Sequence, residues 1–458
     1  MNIGEFIQVT KGFTKAPHNR HIQSIVYNDS RFVRPNDFFW VRDQKGFNNR
    51  VATAIKKGAI GIIAANNLRG KIKEQKNISY IYVDRSMVFK YAQYNRNLIK
   101  VPVVGVTGSA GKTTVKNMIT QILRSQGKVM STYATMNAVY SAPYNTMKLN
   151  SSHKYGVFEM GMKGLGQIRI MGSYYQPTIG IITNIGDAHI GKLGNSVNNI
   201  IKAKQEIIGT IRKNGYLILN ADNQYTSKLN LSGFKGKKIL YFGIKNNADI
   251  KASKIRYKAR STSFKVTYLG KTYDFTVAAI GEHNVYNALA AIAAAFILNV
   301  PYPNIKSKLA TFRNAGMRTQ ILKGINNSTI ISDAFNANPT AAIEGIRSLK
   351  LISNKNPAFA VIGNMGELGS HTVDGHKKVG RKAADLGVNV IGVGTFGQHV
   401  VAGAKQSKNN IIAQHLPDKK SAYNYLKKVL KPNVHAYFKA SRTFKMETLI
   451  RQLKYKKA

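Results

Sequence analysis

The stretch GVTGSAGKTT, residues 105–114, decides how the rest of the chain is read. It ends like a phosphate-binding loop, G-x-x-x-x-G-K-[ST], but the first glycine of that pattern is missing. Val106 stands in its place, and the glycines fall at Gly105 and Gly108. The apolar run Val101–Thr107 predicts a buried parallel strand. Val115, Met118, Ile119, Ile122 and Leu123 give the residues after the loop the apolar face of a helix. Strand, glycine loop and helix in that order present backbone N–H groups and a helix N-terminus to phosphates. In that geometry Lys112 reaches the β- and γ-phosphates and Thr113 offers its hydroxyl to Mg²⁺.

Outward from the loop, short apolar runs alternate with helical segments. Strands are predicted at Ile22–Tyr27, Phe38–Val41, Ile60–Ala65 and Tyr80–Val83, with a helix at Val51–Lys57. Beyond the loop further strands are predicted at Tyr155–Phe158, Ile179–Thr183 and Tyr216–Leu219. Alternation of this kind means an α/β fold with a parallel sheet. Residues 235–277 differ: KKILYFG, SKIRYKAR and SFKVTYLGKTYDFTV alternate apolar and polar residues as antiparallel strands do. After Gly281 an alanine-rich helix runs to about Leu298. Strands at Thr329–Ser332, Phe359–Ile362, Val390–Val393 and His435–Phe438 then predict a second, Rossmann-like unit. With 458 residues, three domains are expected: 1–100, 101–312 and 313–458.

Composition narrows the class. The chain is 43% hydrophobic and 19% charged, which describes a globular protein rather than a disordered one. Without cysteine it has no disulfide and no thiolate metal site. MNIGEFIQVTKGF has no apolar signal region, and the longest apolar stretch, Ala288 to Leu298, is about half a membrane span, so a cytoplasmic protein is expected. The net charge is +49, distributed as +12, +20 and +17 over the three expected domains. A diffuse basic field attracts acidic ligands without singling out nucleic acid. The 23 tyrosines are scattered and form no aromatic–basic platform, so nucleic acid is not the expected partner. With only 20 acids in the chain, a carboxylate at the end of a strand carries unusual information.

Several such residues follow the loop. YGVFEMGMKGLGQI puts Glu159 at the carboxyl end of a buried strand, where ligands collect in parallel sheets, and ITNIGDAHIGKLGN does the same for Asn184 and His189. KAKQEII contributes Lys204, GEHNVYNALAA contributes His283 and Asn284, GMRTQ contributes Arg318, and ISDAFNANP contributes Asp333 and Asn336. With NDSRFVRPNDFFW and YFKASRTFKME near the two ends, these motifs resemble, over almost the full length, the Mur ligases. The short G-[ST]-x-G-K-T-T loop is the form shared by those enzymes and the related folylpolyglutamate synthetases.

The resemblance implies a three-domain architecture with a central P-loop ATPase sheet and a Rossmann-like C-terminal domain. It implies a monomer using ATP and Mg²⁺ to join a carboxylate to an amine through an acyl-phosphate. The branch it resembles adds D-alanyl-D-alanine to a UDP-muramoyl-tripeptide in cell-wall precursor synthesis. By the same resemblance Gly108, Ser109, Ala110, Gly111, Lys112, Thr113 and Thr114 bind the phosphates. Thr113, Glu159, His189 and a carbamylated Lys204 serve the metal ions, with Lys112, His189 and Lys204 as the catalytic set. Asn284 then contacts adenine, Asp333 ribose, and Arg318 phosphate. Ser30, Arg31, Asn137 and Asn336 face the acceptor, with D-S-R contacting its uridine nucleotide.

The likeness weakens on the acceptor side. Where the family reads T-x-G-N-x-N-N-x-I-G-x-P, this chain reads TYATMNAVYSAP at residues 132–143. Thr132, Asn137 and Pro143 remain, while Ala134, Thr135, Ala138 and Ser141 replace Gly, Asn, Asn and Gly. L-G-D-M-x-E-L-G becomes IGNMGELG, with Asn364 for the aspartate and Glu367 kept. K-G-S-R becomes Lys439–Ala440–Ser441–Arg442, and KGFNNRV replaces D-G-H-x-F. Two alternatives therefore stand beside the cell-wall ligase. One is a paralogue joining an amino acid or peptide to another acidic carboxylate; the other is a basic nucleotide-binding protein that engages a polyanion.

Overall fold

A computed structural model describes residues 1–42, 45–84, 86–133, 136–258, 260–314 and 316–455. Packing divides the chain into two compact units. The first comprises Met1–Val103, Gly127–Phe158 and Ile170–Gln176; the second comprises Val104–Gln126, Glu159–Arg169 and Pro177–Ala458. Among the described residues no helix is long and apolar enough to cross a membrane.

In the first unit, five strands lie in the order Phe13–Thr14, Ser79–Val83, Gly61–Ala65, Phe38–Trp40, Ile25–Tyr27. All neighbours are parallel except the first pair. Gly61–Ala65 and Ser79–Val83 are buried throughout, as parallel strands covered on both faces must be. Phe39, Val41, Ile62, Ala64, Tyr80 and Tyr82 pack against Val51 and Ala54 of helix Phe47–Lys56. The four strands and the helix expected here are present with slightly shifted ends. The unit also holds Val129–Ser131 paired in parallel with Tyr155–Val157, and the short helix Ala142–Met147.

In the second unit, strand Val103–Thr107 runs parallel to Ile179–Ile182, which pairs in parallel with Tyr216–Asn220. Lys238–Gly243 follows, also parallel. This corrects the antiparallel expectation for KKILYFG. Alternating burial reports which face of a strand is covered and carries no information on the direction of its neighbour. Ile250–Lys258, Ser261–Tyr268 and Lys271–Val277 do form the expected antiparallel meander. Helix Glu282–Ile297 is buried along most of its length.

The same unit contains a six-stranded sheet ordered Gln320–Lys323, Thr329–Ser332, His435–Lys439, Ala358–Ile362, Asn389–Val393, Ala413–Leu416. Its first pair is antiparallel and the rest are parallel. Ile330, Val361, Ile391, Ala436 and Phe438 form its core with helix Lys419–Val429. The four expected strands are there. Gln320–Lys323 and Ala413–Leu416 were not anticipated, because QILK and AQHL are too short and polar to stand out.

Candidate active site

The strand accounts for the missing first glycine. Val106 is fully buried within Val103–Thr107, so the sheet extends through the position where a longer loop would place its first glycine. What remains, Gly108–Gly111, is clamped by the next strand end. Ser109 N–H donates to the Asn184 carbonyl (3.0 Å) and Ala110 N–H to Asn184 Oδ1 (2.8 Å). Ser109 Oγ donates to the Gly186 carbonyl and accepts the Gly186 N–H, both at 2.9 Å. The Thr183 hydroxyl donates to the Ala110 carbonyl (2.5 Å). Gly108, at φ +149°, leaves no room for a side chain: a Cβ there would fall on the Thr183 hydroxyl.

Because Ser109 and Ala110 have committed their N–H groups, the donors that face a phosphate are those opening helix Lys112–Leu123. That helix has no side-chain cap, so its first N–H groups and its dipole are offered to an anion. Lys112 Nζ donates to the Gly108 carbonyl at 2.6 Å, folded back over the loop. Thr113 Oγ1 donates to Glu159 Oε2 at 2.8 Å. Met160 N–H, next along, donates to the Val106 carbonyl (2.8 Å), which holds Glu159 beside the loop. With its proton turned to the carboxylate, the Thr113 hydroxyl keeps its lone pairs for a cation. A hydroxyl and a carboxylate suit Mg²⁺, which prefers oxygen and retains several waters. Among the described residues no cluster of three or more His, Cys, Asp or Glu forms a closed metal cage. The donor set therefore fits a magnesium ion completed by water and phosphate oxygens.

The charges around this pair are mostly positive. Lys112, Lys116 and Arg318 all lie near enough to Glu159 for their charges to interact with it, and Lys204 near enough to Lys112. Burial lowers the pKa of each, partly offset by Glu159 for the first three. Lys204, 1% exposed on helix Val197–Gln205, is pushed well below the usual lysine value by burial and then by the charge of Lys112. Lys116 was missed in the sequence. Its signal was its place one turn beyond Lys112, on the same helix face.

His189 belongs to a second cluster. Its Nδ1 lies 2.5 Å from Glu367 Oε2, and Lys163 Nζ lies 2.8 Å from Glu367 Oε1. These partners, His189 first, hold the Glu367 carboxyl down at about 2. Lys163, four residues beyond Glu159, is another residue the sequence did not single out.

The expected nucleoside contacts also gather in the second unit. Asn284 Nδ2 donates to the Ile280 carbonyl (2.8 Å) and meets His283 Nε2 (3.0 Å). The other ring nitrogen of His283 is buried without a hydrogen-bond partner, and burial drives its pKa down to about 4. Asp333 accepts from the Tyr437 hydroxyl (2.8 Å) and is ion-paired to Lys439. The Arg318 guanidinium stacks 4.2 Å over Phe335, with its charge felt by both Glu159 and Asp333. Asn336 Oδ1 accepts its neighbour's N–H, from Ala337.

The residues expected on the acceptor side, Ser30, Arg31 and Asn137, are in the first unit. Ser30 is buried in the turn Ser30–Phe32, and the exposed Arg31 makes a forked pair with Asp29 (2.8 and 2.7 Å). Ser141 Oγ donates to the carbonyls of Met136 and Ala138, bracing the loop that carries Asn137. Ala134 and Thr135 lie outside the described residues. Tyr27 stacks on Tyr144 at 3.4 Å and Phe32 meets Tyr133 edge-on at 5.8 Å. No residue pattern in the sequence announced these pairs.

Comparison with known proteins agrees with this geometry. The Mur ligase middle domain matches residues 106–295, and the Mur ligase, glutamate ligase domain matches residues 317–442. The UDP-N-acetylmuramoyl-tripeptide–D-alanyl-D-alanine ligase of Buchnera aphidicola subsp. Baizongia pistaciae is 30% identical, over 99% of this chain and 98% of that protein. The Escherichia coli ligase of the same name is 29% identical, over 81% of each. A crystal structure of MurF from Acinetobacter baumannii superposes with a TM-score of 0.84 at 27% identity, covering 99% of this chain and 98% of that one.

Proposed function

The chain belongs to the Mur ligase family, and from that premise we propose that it adds D-alanyl-D-alanine to a UDP-N-acetylmuramoyl-tripeptide, consuming ATP. The observation that carries this is the Thr113–Glu159 pair at the phosphate loop, ringed by Lys112, Lys116 and Arg318. Simple nucleotide binding needs no such concentration of cations. Transfer of the γ-phosphoryl group to a carboxylate does, because two anions must be held together while charge is redistributed.

In this reading the opening N–H groups of helix Lys112–Leu123 hold the phosphates. Lys112 leaves the Gly108 carbonyl to neutralise the γ-phosphate. Thr113 and Glu159 orient the Mg²⁺ site, with His189 serving a second one. A magnesium ion held there would offset phosphate charge. Arg318 steadies the departing phosphate chain, while Asn284 and Asp333 hold adenine and ribose. Once the acyl-phosphate has formed, the amine of the dipeptide attacks its carbonyl carbon. The C–N bond forms, the C–O bond to phosphate breaks, and the proton released from the amine ends on the departing phosphate, which leaves as hydrogen phosphate. Ser30, Arg31, Asn137 and Asn336 serve the acceptor.

Lys204 is the carbamylated lysine of this proposal. Its burial and depressed pKa support it, since a neutral amine is the form that attacks CO₂. The C–N bond forms as one C=O π bond of CO₂ opens to the carboxylate, one proton leaves nitrogen for solvent, and a neutral buried amine becomes an anion. The proposal keeps three domains at 1–100, 101–312 and 313–458, and a cytoplasmic monomer. The departures in TYATMNAVYSAP favour a second reading in which the acceptor differs.

One experiment separates these readings: phosphate release from ATP with UDP-muramoyl-tripeptide plus D-alanyl-D-alanine, against glutamate-containing peptides. Release only with the first pair is expected, and Lys112→Ala should abolish it while leaving the fold intact. Release with the second set alone overturns the acceptor, and near-parental release by Lys112→Ala overturns the ligase.

A further inference from the structure

Glu367 reaches the phosphate-loop half of the second unit from the loop after strand Ala358–Ile362. Its two oxygens are divided, one on His189 Nδ1 at 2.5 Å and one on Lys163 Nζ at 2.8 Å. The backbone is fastened at the same place. Gly191 N–H donates to the Glu367 carbonyl (3.1 Å), and Ser370 N–H to Asn195 Oδ1 (3.2 Å). Gly191 and Gly369 touch backbone to backbone. Both Glu367 (φ +62°) and His189 (φ +65°) stand in the left-handed region that ordinary side chains avoid. Strain at two facing residues persists only where the surroundings enforce it, and such places are commonly functional.

We propose that Glu367 is the positioning residue for His189, setting its tautomer and ring plane so that Nε2 is the nitrogen presented to the metal ion. A carboxylate accepts and does not donate, so the proton on this ring sits on Nδ1. That leaves the Nε2 lone pair unprotonated in the neutral ring. Carboxylate–histidine–metal arrangements use this device to fix the ring and raise its basicity. Here the carboxylate comes from the six-stranded sheet and the imidazole from the loop after Ile179–Ile182. The histidine is therefore competent only when those two parts of the unit are docked. Lys163 holds the second oxygen, so that Glu367 presents one oxygen to the ring and does not rotate away. The inference rests on the ligase reading for the purpose of His189, but its geometry stands on the free protein.

The test begins without nucleotide. Nitrogen-detected NMR of labelled protein, with the His189 signal assigned by its loss in His189→Gln, should show the Nδ1–H tautomer in the parent. Glu367→Ala should move it to the Nε2–H form, while Glu367→Gln, whose amide oxygen still accepts, should keep Nδ1–H. Lys163→Ala should leave the tautomer alone. Mn²⁺ binding in the presence of ADP, read by electron paramagnetic resonance, should weaken by about 10–100-fold in Glu367→Ala. An Nε2–H tautomer in the parent overturns the proposal, as does Mn²⁺ affinity in Glu367→Ala within about twofold of the parent, against that expected loss. Neither readout depends on ligase turnover, so failure of the acceptor assay leaves this result to be judged separately.

Discussion

Replacing Gly191 with alanine tests how closely the His189 loop must sit against the Glu367 loop. The backbone angles of Gly191 are open to alanine, so the effect is steric alone. Its new Cβ would lie 2.7 Å from Gly369 Cα and 2.9 Å from the Leu368 carbonyl carbon. Carbon atoms rest at about 3.5–4.0 Å, so the two backbones must part by roughly 0.8–1.3 Å. Neither partner is a flexible side chain that could swing aside. The His189–Glu367 contact of 2.5 Å then stretches to the margin of a hydrogen bond. Overpacking of this kind costs about 1–3 kcal/mol, and misplacing a catalytic group by 1 Å costs up to about 100-fold in rate. Gly191→Ala should therefore release phosphate roughly 10–100-fold more slowly in the acceptor assay. Gly209→Ala is the control, because a Cβ there meets nothing within 4 Å. If Gly191→Ala and Gly209→Ala turn over alike and at the parental rate, the close approach has no bearing on His189.

Other substitutions address other parts of the chain. Lys204→Ala should slow turnover by about 100-fold or more, and labelled bicarbonate should give a carbamate NMR signal in the parent that this variant lacks. His283 is held neutral, its folded pKa of about 4 lying below the ordinary 6.5. As pH falls from 6.5 towards 4 the unfolded chain binds a proton that the fold refuses, so stability drops through that window by up to about 3 kcal/mol. His283→Asn should flatten that part of the urea-midpoint profile against pH. Arg96, fully buried, donates to the carbonyls of Tyr175 (2.8 Å), Ile99 (2.5 Å) and Gln176 (3.2 Å). Arg96→Leu should cost about 2–4 kcal/mol, seen as a lower urea midpoint, by stranding those acceptors.

Legibility in the sequence followed the strength of the local signal. GVTGSAGKTT and Glu159 could be read because strand, loop and helix patterns surround them, and because acids are scarce enough for Glu159 to stand out, whereas Lys204 was singled out only by the family motif around it. Lys116 and Lys163 could not. Among 69 basic residues a lysine is unremarked until burial or a carboxylate partner distinguishes it. Glu367 was visible as a kept motif residue, but its partner lies 178 positions away, and only folding supplies that contact. The direction of Lys238–Gly243 was hidden for a different reason. Periodicity records burial, and parallel or antiparallel pairing depends on the chain's route between strands.

The cations around Glu159 have a practical consequence. A site built around Lys112, Lys116 and Arg318 discriminates poorly among small oxyanions, since sulfate and inorganic phosphate offer the same charge to the same helix N-terminus. Phosphate and sulfate buffers are therefore competitive inhibitors in waiting. The liberated phosphate is one as well, so product accumulation should bend progress curves well before ATP is exhausted.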